Sequence, residues 1–207
     1  QKTAYEIYQC DWSSDVCSSD LVGSKQNSSI RKSSTALLII DMLNTLDFPE
    51  GDQLKRQALP IAKNILSLKK SFKQKKAAVI YVNDNFGKWH ADWKQVFQIC
   101  ADKDSKGKDL AEILKPEEDD FFILKPRHSG FYNTNLETLL EDLQIKHLVI
   151  TGIAGNICVL FTVNEAHMRG YDVWMPKNCV ASNTKKENDF AIQQVSNSLK
   201  IRTSIYR

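Results

Sequence analysis

Six short apolar runs punctuate the chain. Thr35 to Asp41, Ala77 to Val82 and Asp120 to Leu124 are near-continuous blocks of aliphatic, β-branched and aromatic residues. That is the pattern of strands buried on both faces. Leu148 to Thr151, Tyr171 to Met175 and Ile201 to Ile205 repeat it. Between the runs the spacing turns helical, as in Leu54, Ala58, Ile61, Ile65 and Leu68, and again in Val159, Thr162, Val163 and Ala166. The periodicity predicts helices over Leu54–Phe72 (with Pro60 as a kink or restart), Trp93–Cys100, Leu110–Leu114, Thr134–Leu143, from Asn156 towards Gly170, and Lys186–Leu199.

Strands alternating with helices imply an α/β fold joined by right-handed crossovers. The expected architecture is a three-layer α/β/α sandwich around a mostly parallel, six-stranded Rossmann-like sheet. It forms one domain over residues 35–207, without internal repeats. In such sheets ligands bind at the carboxyl ends of the strands. Asp41, Asn83, Lys125 and the turn at Gly152 all fall at that end.

Residues 1–34 are set apart from this pattern. Asp11 to Leu21 resembles the translation of a common sequencing adapter, and the chain lacks an initiator Met, so the native N-terminus is expected to be replaced here. Val22 to Ser34, rich in Ser and Lys, reads as a flexible lead-in. Asp11 to Leu21 carries three Asp and no Lys or Arg, so without it the formal charge of +3 becomes +6. The lysines are spread over helix faces without interleaved aromatics or a known motif, which argues against a nucleic-acid partner. No apolar run approaches membrane-spanning length. Outside the suspect segment and its edge only Cys100, Cys158 and Cys179 remain, too widely spaced for a disulfide framework or a zinc site. A reducing, cytoplasmic compartment is the simpler expectation.

Cys158 stands apart from the other two. It falls in the first turn of a helix that follows a strand and a Gly152 turn, where unpaired N–H groups and the helix dipole favour a thiolate. Those N–H groups also suit an oxyanion. Asp41 is the candidate base and Lys125 the charge partner, each at another strand end. Singly these residues have ordinary structural roles: a buried thiol, a turn-capping carboxylate and a solvated lysine. Their convergence at one end of the sheet is the argument for chemistry.

Four stretches resemble the isochorismatase-like cysteine hydrolases: Leu37 to Asn44, Val79 to Trp89, Leu124 to Phe131 and Thr151 to Val159. The resemblance implies a triad of Asp41, Lys125 and Cys158. It implies a cis peptide between Ile153 and Ala154, and an oxyanion hole from the N–H groups of Ala154 and Cys158. It also implies a cysteine-dependent hydrolase of a small-molecule amide or ureido C–N bond, working through a thioester and without a cofactor, in a chain that forms homo-oligomers. Asn44, Phe48, Asn85, Trp89 and Phe131, within or beside the motifs, are candidate walls of the substrate pocket. Two departures stand out. The family's usual Ala-Thr-Asp turn reads Ala154-Gly155-Asn156, and the metal-binding Asp-x-His of nicotinamidases reads Asn83-Asp84-Asn85 with only His90 nearby, so no metal is expected. A non-catalytic or redox-active cysteine protein on the same fold is the alternative.

Overall fold

Thr35–Ile40 (β1) lies at the centre of the sheet because neither of its faces meets water: Ala36 through Ile40 are fully buried. The computed structural model describes residues 33–87 and 92–207. The expected lead-in before residue 33, with Cys10 and Cys17, and the residues Trp89 and His90 lie outside the described residues. Around β1 are Ala78–Asp84 (β2), Phe121–Lys125 (β3), His147–Gly152 (β4) and Asp172–Trp174 (β5), in the order β3-β2-β1-β4-β5. All four pairings are parallel.

Alternation along β1 divides the core in two. Leu37 and Ile39 face one layer, built from Gly51–Gln74 (α1), Trp93–Cys100 (α2) and Lys108–Ile113 (α3). Ala36, Leu38 and Ile40 face the other, built from Leu136–Asp142 (α4), Leu160–Met168 (α5) and the region of Lys185–Gln193 (α6). This is the three-layer sandwich expected from the pattern, with side chains a period of two apart pointing to opposite faces. α1 runs on through Pro60 as a single helix.

The sheet has five strands, not six. Ile201 to Ile205 makes one bridge, Trp174 to Arg202, and no ladder. β5 is only three residues long, and Pro176, which has no N–H, follows after Met175. The Met175 N–H donates to the Arg202 carbonyl at 3.0 Å, and side chains hold the rest of the tail: the Trp174 indole N–H donates to the Ser204 carbonyl at 3.0 Å, and the Tyr206 N–H to Asn178 Oδ1 at 2.8 Å.

The α1 layer also buries a charge. The Lys69 side chain is 2% exposed and donates to Tyr81 Oη at 3.2 Å and to the Lys115 carbonyl at 3.0 Å. Its ammonium lies 2.7 Å from the Asp120 carboxylate, itself 1% exposed, and Lys73 reaches the other oxygen at 2.5 Å. Removing one partner from such a pair leaves the other charged and unsolvated. Lys69→Met is therefore expected to lower unfolding stability by about 3 kcal/mol in urea titrations. A loss below about 1 kcal/mol would mean that Lys73 alone satisfies Asp120.

Candidate active site

Sheet geometry brings the strand ends together. In the parallel register Asp84 stands opposite Lys125, and Ile40 stands opposite both Val82 and Gly152. Lys125 is thus two strands from Asp41, roughly 10 Å at the usual interstrand spacing. Only a long side chain spans that gap. The Lys125 ammonium crosses β2 and lies 2.8 Å from Asp41 Oδ2, and it donates to Cys158 Sγ at 3.5 Å and to the Arg127 carbonyl at 3.2 Å. Lys125 is fully buried and Asp41 is 4% exposed. Acid, amine and sulfur therefore meet in one place.

Each partner is fixed by its backbone. Asp41 leaves β1 with φ 50°, a left-handed conformation that Asp tolerates better than most residues, and its N–H donates to the Val82 carbonyl at 3.0 Å. Asp41 Oδ1 accepts the Asp84 N–H at 2.8 Å. Asn83, fully buried, donates to the Leu43 carbonyl and accepts the Leu43 N–H, which ties the loop after Asp41 to β2. Gly152 has φ +117°, and a Cβ there would come within 2.1 Å of the Ile40 carbonyl oxygen, so only glycine allows β4 to turn this close to β1. The next peptide bond, Ile153–Ala154, is cis. Gly155–Val159 then forms a π-turn that runs into α5. The Ala154 carbonyl accepts the N–H groups of Ile157 at 3.0 Å and Val159 at 3.2 Å, so the bond from Cys158 that a regular α-turn would make is passed over.

The electrostatics depart from the sequence expectation. Burial pushes the Asp41 carboxyl above the ordinary carboxylate range, against the pull of Lys125, the Cys158 thiol and the Asp84 N–H. Burial also pushes the Cys158 thiol up to about 12; the negative charge of Asp41 adds to this, and Lys125 opposes it. Burial works to discharge Lys125, but Asp41, Cys158 and Asp84 outweigh it and hold its pKa above the usual lysine value. The resting sulfur is therefore a protonated thiol beside a charged ammonium. The helix-start argument alone pointed to a thiolate. It took no account of desolvation at a half-buried position next to a carboxylate.

The pocket candidates separate. Asn44 Oδ1 accepts the Leu46 N–H and Asn85 Oδ1 accepts the Gly87 N–H, so both side chains close local turns near the site. Phe48 is half-buried and packs on the α1-side core. Phe131 is corrected: it is 5% exposed in the other core, its ring 6.0 Å from that of Tyr171 and covered by Arg169, beyond the end of α5 remote from Cys158. An aromatic beside a motif followed the helix layer because its burial gain lay there.

Asp84 was passed over as a site residue. Its Oδ1 accepts the Phe86 N–H at 2.6 Å, and Oδ2 lies 3.8 Å from the Lys125 ammonium, with the side chain 39% exposed. The register of β2 against its neighbours was the signal, since it stands between Asp41 and Lys125. That carboxylate is turned to Lys125, and Asn83 is committed to Leu43. Among the described residues no three His, Cys, Asp or Glu side chains cluster as ligands. Among the same residues no helix is long and apolar enough to cross a membrane. A groove of about 790 Å³ lies at the opposite end of the sheet, between Thr35, His147, Asp172 and Arg202, away from this chemistry.

A parallel sheet sheathed by helices on both faces defines a Rossmann-like α/β fold. The chain belongs to the isochorismatase family of hydrolases: the family's domain model matches residues 35–205. It is 46% identical over 168 residues to the isochorismatase family protein YaaI of Bacillus subtilis (strain 168), covering 81% of this chain and 92% of YaaI. It is also 46% identical to the ureidoacrylate amidohydrolase RutB of Serratia proteamaculans (strain 568), over 63 residues that cover 30% of this chain and 25% of RutB. The nicotinamidase SaPncA of Staphylococcus aureus shares the fold, with a TM-score of 0.63 at 24% identity, covering 83% of this chain and 98% of that one.

A thiol near 12 has a measurable consequence. Iodoacetamide labelling of Cys158, followed by mass spectrometry, is expected to accelerate about tenfold per pH unit from pH 7 to 10 without a plateau. Asp41→Asn removes a charge that holds the proton on sulfur, so labelling at a given pH should quicken; Lys125→Ala should slow it. A plateau near neutral pH would mean a preformed thiolate and overturn this picture.

Proposed function

We propose that this chain hydrolyses an amide or ureido C–N bond of a small molecule through a thioester on Cys158, with Asp41 as proton carrier and Lys125 as the charge that holds them together. The observation that carries the reading is the position of the Lys125 ammonium, 2.8 Å from the Asp41 carboxylate and 3.5 Å from Cys158 Sγ at the carboxyl end of the sheet. Family membership and the amidohydrolase named among the relatives support it.

The proton accounting sets the order of events. With the thiol near 12, a free thiolate is rare at neutral pH, so proton transfer to Asp41 accompanies the attack of sulfur on the carbonyl carbon. A carboxylate already raised by burial is a better base for this than an exposed one. The C–S bond forms, and the carbonyl oxygen takes up the negative charge. The N–H groups of Ala154 and Cys158 are the proposed donors to it, in keeping with the π-turn that leaves Cys158 out of the bond to the Ala154 carbonyl. Collapse breaks the C–N bond, and Asp41 returns its proton to the leaving amine. A water, deprotonated by Asp41, then attacks the thioester; the acid leaves and the proton goes back to sulfur. Lys125 stays protonated throughout and steadies whichever of Asp41 and Cys158 is charged.

A resolving cysteine for redox chemistry is not supplied by Cys100 or Cys179. Both are fully buried in the α1-side core, whereas Cys158 packs at the edge of the opposite core across the sheet.

Ammonia or amine release from a panel of amides, ureides and carbamoyl compounds tests the reading. Wild type should turn over at least one class, and Cys158→Ala should lose about 10³-fold or more of kcat. Lys125→Ala and Asp41→Asn should each lose at least about 10²-fold. Because only the ionised Asp41 accepts a proton, kcat/KM should fall as pH drops through a pKa above the ordinary carboxylate range. Unchanged turnover in Cys158→Ala would refute the mechanism.

A further inference from the structure

The departure at Gly155 has a counterpart across the molecule. A Cβ at Gly155 would meet Asn188 Oδ1 at 2.5 Å, Val180 Cγ1 at 2.7 Å and Ser182 Oγ at 2.9 Å. The chain from Val180 to Asn188 therefore fills the space that a side chain on the turn would take. It also takes the turn's first hydrogen-bond donors. The Gly155 N–H donates to the Ala181 carbonyl at 2.7 Å, and the Asn156 N–H to Ser182 Oγ at 3.1 Å. Ser182, fully buried, donates its hydroxyl hydrogen bond to Asn188 Oδ1 at 3.3 Å. The Asn188 amide N–H closes the loop on the Val180 carbonyl at 3.2 Å. Below this, the Ala181 N–H donates to the Gly152 carbonyl at 3.2 Å.

Asn188 is itself well fixed. It lies in the first turns of α6, where its N–H donates to the Thr184 carbonyl, and that helix start carries a reciprocal cap between Thr184 and Glu187. Such a pair of bonds satisfies two otherwise orphaned donors and holds the helix end rigid. A chain of donors running from Asn156 through Ser182 to Asn188 is then anchored at its far end, and a buried relay of this kind loses more than one bond when one member is removed.

We propose that Asn188, acting through Ser182, is a positioning residue for the turn that carries Cys158, and that position 155 is glycine because Asn188 occupies its side-chain space. The strap takes the N–H groups of Gly155 and Asn156, and the Ala154 carbonyl takes those of Ile157 and Val159. The Cys158 N–H belongs to neither set. The strap thereby sets the pitch at which Cys158 presents its Sγ to Lys125 and turns its own N–H. The kinetic consequence rests on the hydrolase reading above; the geometric one does not.

Asn188→Ala, Ser182→Ala, Gly155→Ala and the Gly155→Ala/Asn188→Ala double variant test this, each read by thermal melting, by steady-state kinetics and by iodoacetamide labelling of Cys158 at pH 8. Misplacing a reacting group by an ångström or less should lower kcat about 10- to 100-fold. KM should stay within about twofold, since ground-state binding is not what the strap provides. Labelling should move the other way, about threefold or more faster, as the loosened turn lets water reach the sulfur. Gly155→Ala displaces Asn188, so the double variant should be no worse than the poorer single one. The proposal is overturned if kcat and labelling both stay within about twofold of wild type, if the Gly155 and Asn188 effects multiply, or if melting falls while kcat at low temperature is unchanged. Should wild type hydrolyse nothing in the panel, the hydrolase reading fails alone, and the labelling rates of the same variants still decide whether the strap holds the turn.

Discussion

A lysine ammonium with no exposure to water is the constraint on which the carboxyl end of this sheet depends. Lys125 must find anionic or polar partners or lose its proton, because an unpaired buried charge is not tolerated at any ordinary stability. It finds Asp41, Asp84, the Arg127 carbonyl and the Cys158 sulfur. Those partners come from β1, β2, the loop after β3 and the turn after β4. One side chain thus ties four segments of the chain to a single geometry.

Burial acts in one direction on both groups beside Lys125: it raises the Asp41 carboxyl and holds the proton on the Cys158 sulfur. A sulfur kept protonated is protected from adventitious alkylation and oxidation, which follow thiolate character and exposure. A glycine, a serine hydroxyl and an asparagine amide from the start of α6 stand around the turn that carries this sulfur.

Much of the architecture was legible along the chain. The Thr35 to Asp41 run and the Leu54 to Leu68 spacing could only be a buried strand and an amphipathic helix, and the strand-end positions of Asp41 and Lys125 followed. The sixth strand was not legible, since Ile201 to Ile205 has a strand-like pattern, but its prospective partner is three residues long and followed by a proline. Phe131 was misplaced for a similar reason: adjacency to a motif says nothing about which layer an aromatic enters. Asp84 was hidden among polar neighbours until the pairing of β2 with β3 placed it opposite Lys125.

By itself, then, the sequence determined the local states, the layer order and the strand-end positions of Asp41 and Lys125, because hydrophobic periodicity and residue chemistry are short-range properties. Tertiary structure alone decided how far burial would go at each of those groups, and so the protonation of Cys158, the pairing of Lys125 and the clasp of Asn188 on Gly155. Desolvation and contact depend on what the rest of the chain brings alongside, and residues thirty or more positions apart carry no sign of that in their order.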